Sequence, residues 1–244
     1  MSGQLGRIGQ LGPLEQQLLA RQLDEQTAAV FEADRTLRVL DVGLGRGVQA
    51  LRLARAGHRV TGLESDPDLR DLVEKELADE PEEIRKRVRL VPGGSQDTGA
   101  HFLPGTFDVV LCHGELIQAR DPGTTLAGLA RVLDGGGLLS LLIRNDDALA
   151  MHPGRTGDWD AAQAALDFPE RAGRAFRLET FTRGLAGIGT PLRQWYGVGI
   201  FGHDRLPEED DEAERMLALE ERAARTDPYR SVAAMLHVCG VRGG

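Results

Sequence analysis

The stretch with the most chemical potential is LDVGLGRGVQA at residues 40–50, where Gly43, Gly45 and Gly47 alternate between an apolar run and an amphipathic one. Glycine turns serve phosphates, dinucleotides and a sulfonium cofactor alike, because a backbone without side chains turns sharply and comes close to a ligand. A phosphate-binding GxxxxGK[ST] loop is excluded, since the lysines, Lys75 and Lys86, lie far along the chain. The dinucleotide pattern GxGxxG asks for a small residue at 48, and Val48 stands there. What remains is GxGxG, preceded by Asp41 and followed by Glu64, an acid at the tip of the next apolar run. A carboxylate there can accept bonds from both hydroxyls of a ribose. His113 and His152 are the candidate general bases. The sequence presents no carboxylate pair or Cys/His dyad that demands a hydrolytic reading.

The elements that must hold these residues alternate in type. LRVLDV (37–42), HRVTGLE (58–64), VRLV (88–91), FDVVLC (107–112) and LLSLLI (138–143) read as strands. VQALRLARAG (48–57), DPDLRDLVEKELADE (66–80) and TTLAGLARVL (124–133) read as helices, the second opened by Asp66 with Pro67 behind it. Glycines 135–137 are expected to turn the chain into the fifth strand. This order predicts an α/β fold with a doubly wound, mostly parallel seven-stranded sheet, ligands meeting at the carboxyl ends of its strands. Residues 144–175 read as an irregular cap, 178–189 as a short helix, and 191–202 as a sixth strand. An acid-opened helix at 206–226 and an antiparallel edge strand at 236–242 complete the expectation. The segments are 1–36 (N-terminal helical), 37–143 (cofactor-binding core), 144–190 (cap and substrate region) and 191–244 (strands and helix completing the sheet), one domain overall.

Composition is that of a globular protein, with 41% hydrophobic and 27% charged residues. No apolar run is long enough for a membrane span, and the polar start MSGQLGRIGQ does not read as a signal peptide. Cys112 and Cys239 provide neither a disulfide framework nor a cysteine-rich metal site; both read as small core residues, and a cytoplasmic setting is expected. A net charge of −9 argues against a broadly nucleic-acid-coated surface. The arginines at 171, 174, 177, 183 and 193 form a strip that could track phosphates or simply face solvent.

Together with Glu64, the SQD at 95–97 and FDVVLCHGEL at 107–116, the glycine loop resembles the successive motifs of class I S-adenosylmethionine-dependent methyltransferases. That resemblance implies S-adenosylmethionine as cofactor and S-adenosylhomocysteine as product. It implies a cofactor site of Asp41, Gly43, Gly45, Arg46, Gly47, Glu64, Ser65, Ser95, Gln96, Asp97, Cys112 and His113. In it the loop packs under the methionine and ribose, Glu64 holds the ribose, and Asp97 accepts from the adenine amino group. Further along, VLDGGGLLSLLIRNDDALAMH (132–152), GDWDAAQAAL (157–166), GVGIF (197–201) and ERAARTDPYRSVAAMLHV (221–238) are similar to the bacterial tRNA 5-carboxymethoxyuridine methyltransferases. Their N-A-x-x-L-x-M-H block finds Asn145, Met151 and His152 here; their G-[ND]-[FW]-D block finds Gly157 to Asp160, and their D/E-P-Y segment Asp227 to Tyr229. The implied catalytic residues are His113, Asn145 and His152, and the implied substrate contacts Asn145, His152, Trp159 and Tyr229. The family's reaction is methyl esterification of a carboxylate on a tRNA uridine.

The chain departs from that pattern at three places. Glu15 stands where the family carries an arginine, Arg46 where it often has an acid, and Gly199 where it has a basic residue. The first two read as a charge swap, with Arg46 meeting the cofactor's carboxylate or pairing with Glu15. The third weakens the case for tRNA and leaves a small-molecule O- or N-methyltransferase open, so the methyl acceptor is either tRNA or a small molecule. A nicotinamide oxidoreductase and a non-catalytic cofactor-binding protein are the further alternatives.

Overall fold

The computed structural model describes residues 11–201 and 210–243. Seven strands form one sheet: β1 (Arg38–Val42), β2 (Arg59–Glu64), β3 (Val88–Pro92), β4 (Phe107–His113), β5 (Leu133–Arg144), β6 (Leu192–Val198) and β7 (Met235–Val241). Their order is β3-β2-β1-β4-β5-β7-β6. β1 runs parallel to both β2 and β4, and β2 parallel to β3. The register pairs Val42 with Leu63 on one side and with Cys112 on the other, so β1, β2 and β4 end level. That level edge lies at the point where strand order reverses, and it is there that Gly43, Glu64 and His113 emerge.

The strands form for an evident reason. Val39, Leu40 and Val42 of β1 and Val109, Val110 and Leu111 of β4 are buried nearly completely, as near-continuous apolar runs in a parallel sheet must be. The helix Val48–Arg55 buries Ala50, Leu51, Leu53 and Ala54 at helical spacing. The helix Pro67–Ala78 is capped as expected, the Asp66 carboxylate accepting from Asp68 N at 2.8 Å.

The structure changes four expectations. β7 is interior, between β5 and β6, and β6 is outermost. Its direction is antiparallel to both neighbours: Gly136 N donates to Arg242 O and Asn145 N to Ala234 O, while Val241 N donates to Pro191 O and Ala234 N to Gly199 O. β5 begins at Leu133 and runs twelve residues straight through glycines 135–137, where a turn was expected. The supposedly irregular cap contains the helices Met151–Arg155 and Trp159–Asp167. β6 ends at Val198, short of 202. The acid-opened helix is Asp210–Ala223 among the described residues; its expected beginning at 206–209 lies outside them, as does MSGQLGRIGQ.

Contacts divide the chain into two compact units. Among the described residues, unit one comprises 11–24, 142–182, 194–201 and 210–238; unit two comprises 25–141, 183–193 and 239–243. In unit two, the Asp108 carboxylate receives Arg35 Nη2 at 2.6 Å, Arg38 Nη2 at 2.9 Å and Arg38 N at 2.8 Å, joining β1 to β4 at the end away from the glycine loop. In unit one, His237 of β7 meets Gln22 Oε1 through Nδ1 at 2.9 Å and stacks on Tyr196 of β6, while Gln22 Nε2 donates to Gly197 O.

Candidate active site

The loop between β1 and the helix Val48–Arg55 turns on three glycines whose φ values are 72°, 55° and 72° at Gly43, Gly45 and Gly47. Side chains rarely tolerate that region. A Cβ at Gly43 would overlap the Glu115 side chain, and one at Gly47 would press on Val73 at 3.0 Å. At Gly45 it would meet nothing nearer than the Gly43 carbonyl at 4.0 Å, and at Gly114 nothing at all. Both faces are therefore open, as a ligand lying along the loop requires.

Glu64 ties the loop to its surroundings. Its Oε2 accepts from Gly45 N at 2.9 Å and its Oε1 from Asp66 N at 3.0 Å. Each oxygen keeps a further lone pair, so the carboxylate can hold two ribose hydroxyls while fixing two backbone amides. Asp97 is similarly half-engaged: Oδ2 accepts from Gly94 N at 3.0 Å. Ser95 is buried, whereas Gln96 and Ser65 are exposed. Arg46 is exposed, and its guanidinium makes no hydrogen bond or ion pair among the described residues.

Asp41, the last-but-one residue of β1, is 5% exposed, and its carboxylate accepts no hydrogen bond among the described residues. Burial, and secondarily the Glu64 charge, push its pKa up to about 7. Glu115, unassigned in the sequence reading, completes the group. It lies across Gly43, and burial and then the Glu64 charge push its pKa upward. The signal available in the sequence was an acid two residues past the end of β4.

His113, at the tip of β4, bonds through Nε2 to Ser140 Oγ of β5 at 2.9 Å. Burial foremost, and then the Arg52 charge, depress its pKa to about 3. The ring is neutral at physiological pH and a poor proton acceptor. Cys112 is fully buried and its thiol is held protonated by burial.

These residues all belong to unit two. Asn145, His152, Trp159 and Tyr229 belong to unit one. There Asn145 is 2% exposed, with Nδ2 donating to Ser231 O at 3.0 Å and Ala233 O at 2.9 Å and Oδ1 accepting from Asp147 N at 3.1 Å. Both of its amide hydrogens are thereby committed to the backbone after Tyr229. His152 and Trp159 are exposed on the two cap helices, Trp159 by 71%, and Tyr229 is 52% exposed. No group of three or more His, Cys, Asp or Glu suited to a metal occurs among the described residues.

The family profile described as "Methyltransferase domain" matches residues 40–141. Over 240 residues the chain is 31% identical to the tRNA 5-carboxymethoxyuridine methyltransferase of Escherichia coli strain K12, covering 93% of this chain and 87% of that protein. The chain belongs to this methyltransferase family. Over 116 residues it is also 34% identical to a ubiquinone biosynthesis O-methyltransferase of Xanthomonas euvesicatoria, spanning 47% of the chain and 46% of that enzyme. Among solved structures, the magnesium protoporphyrin IX methyltransferase of Synechocystis PCC 6803, determined with S-adenosylhomocysteine bound, shares the fold at a TM-score of 0.63 and 16% identity, covering 98% of this chain and 93% of that one. The protein is a class I S-adenosylmethionine-dependent methyltransferase, and the open glycine faces and half-engaged Glu64 and Asp97 suit an adenosyl group. When bound, that cofactor supplies a methyl carbon made electrophilic by a sulfonium. No described helix is long and apolar enough to cross a membrane.

Proposed function

We propose that the protein esterifies the carboxylate of a 5-carboxymethoxyuridine in tRNA with the methyl group of S-adenosylmethionine. The observation that carries this reading is the similarity to the Escherichia coli enzyme over 93% of the chain, well beyond the cofactor motifs. The basicity of two groups at the strand ends bears on it: Asp41, with a pKa of about 7, is buried, and His113, one of the two histidines named as candidate bases, is far weaker. An alcohol or protonated amine acceptor needs a general base with a pKa near neutrality. His113, the titratable ring at the tip of β4, stays neutral down to a pH of about 3 and so binds protons poorly. A carboxylate acceptor is ionised at neutral pH without help. Bound in line with the cofactor's methyl group, such a carboxylate oxygen would take up that group without giving up a proton, so no residue of the chain need act as a base.

Within this reading Glu64 and Asp97 hold the adenosyl group and His113, fixed by Ser140, offers a neutral ring. Asn145 acts as a positioning residue for the segment that carries Tyr229. His152, Trp159 and Tyr229 are the exposed candidates for the acceptor. The experiment is methyl transfer from radiolabelled cofactor into bulk RNA and into the small-molecule fraction of a cell extract. The expected label sits in tRNA and is released as methanol by mild alkali, as an ester requires. Label confined to small molecules, or stable to alkali in RNA, overturns the proposal.

A further inference from the structure

His113 of β4, Ser140 of β5 and Cys239 of β7 lie on three adjacent strands, all within unit two. His113 Nε2 and Ser140 Oγ are 2.9 Å apart, a hydrogen bond whose direction depends on the tautomer of the ring. Strand register extends the row. Arg242 N donates to Gly137 O and Asn145 N to Ala234 O, so the register of β5 on β7 agrees at both ends and sets Ser140 opposite Cys239. The two fall between ladder bonds, where facing side chains come closest and share one face of the sheet. Both are wholly buried. Burial keeps the Cys239 thiol protonated, its pKa pushed up to about 12. His113 is half-buried at the tip of β4, so Nε2 lies on the inward edge of its ring.

A hydroxyl between a thiol and a neutral imidazole has one proton to give, and its neighbours differ as acceptors. Sulfur accepts weakly, whereas the unprotonated nitrogen of the ring accepts well. The Ser140 proton therefore goes to Nε2, and the thiol proton falls to the Ser140 oxygen. A ring that accepts at one nitrogen carries its proton on the other. We propose that Ser140, backed by Cys239, is a positioning residue that fixes the His113 tautomer, with Nε2 accepting and Nδ1 protonated. The ring then offers the methyl acceptor an N–H donor in place of a lone pair. Such a donor orients an ionised carboxylate and gives an alcohol or amine no base. This use rests on the carboxylate acceptor proposed above, whereas the tautomer does not.

Nitrogen-15 NMR of histidine-labelled protein tests it. In the wild type, His113 is expected to show Nδ1 protonated and Nε2 unprotonated; a protonated Nε2 overturns the proposal. Ser140→Ala removes the donor to Nε2 and is expected to bring both nitrogens toward mixed-tautomer shifts. Cys239→Ala frees the Ser140 oxygen to accept from the ring and is expected to admit part of the other tautomer. No change of shift in either variant overturns the proposal. In the radiolabel assay, Ser140→Ala is expected to lower kcat for tRNA about tenfold while KM for S-adenosylmethionine stays within about twofold. An unchanged kcat overturns the role in orientation. Should Ser140→Ala fail to fold, the wild-type spectrum still decides. Wild-type protein that leaves tRNA unlabelled refutes the acceptor instead, and the spectra then decide the tautomer by themselves.

Discussion

Two groups in unit two titrate in opposite senses, and their effects can be separated. Asp41 protonates at about 7 in the fold against 3.8 for an ordinary aspartate. Between those values the folded chain holds a proton that the unfolded chain has lost, so stability falls as pH rises through that window. His113 protonates at about 3 in the fold against 6.5 ordinarily. There the unfolded chain holds the extra proton, and stability climbs as pH rises toward 6.5. Each effect is of order 4 kcal/mol, at roughly 1.4 kcal/mol per pH step, and the two largely offset one another. Urea unfolding between pH 4 and pH 7 should therefore show a rising stability in Asp41→Asn and a falling one in His113→Gln, with the wild type flatter than either. Glu64→Gln places an amide donor against the Gly45 or Asp66 N–H; cofactor affinity is expected to drop by about 10- to 100-fold in calorimetry, roughly 1.4–2.7 kcal/mol.

The strands of the parallel half were legible because Leu40, Val42, Leu63, Val110 and Leu111 form runs buried on both faces, a pattern that polarity alone reveals. The beginning of β5 was not. Glycines 135–137 read as a turn, but Gly137 is required by close approach: a Cβ there would meet Asp108 O at 2.8 Å and Asp134 O at 2.9 Å. Gly137→Ala should lower stability by about 2–3 kcal/mol in denaturant titration. The neighbours of β7 were equally hidden, because a run such as MLHVCGV reports burial without reporting which strands enclose it. The cap helices Met151–Arg155 and Trp159–Asp167 are short and mostly exposed, so no apolar stripe announces them. Asn145 shows the same limit from another side. Its motif suggested chemistry, whereas the side chain secures two backbone carbonyls; Asn145→Ala should cost about 2–4 kcal/mol of stability, since both lose their donor in a buried setting.

At the scale of the whole chain, the glycine loop was readable because three residues with positive φ call for glycine, and Glu64 because an acid at the tip of β2 can tie the loop backbone. The surface is less direct. The arginine strip shrinks on inspection of its partners: Arg177 pairs with Asp146 at 2.8 Å, Arg193 donates to Ala29 O at 3.3 Å, and Arg171 lies over the Phe168 ring. With a net charge of −9 as well, few phosphates are expected to be neutralised when RNA binds. Labelling of tRNA should consequently fall only about three- to tenfold between 50 and 200 mM salt, the loss expected for one or two phosphate contacts on a single strand. A fall of a thousandfold in that assay would mean a far more extensive electrostatic footprint.

The two backbone amides gathered by Glu64 have one more use. Gly45 and Asp66 sit on different elements but share a single acceptor, so whatever steadies that acceptor must slow solvent exchange at both amide protons together. Hydrogen exchange followed by NMR would make them paired witnesses of occupancy, quieting in step as adenosine fills the cleft and quickening in step when position 64 is shortened to alanine.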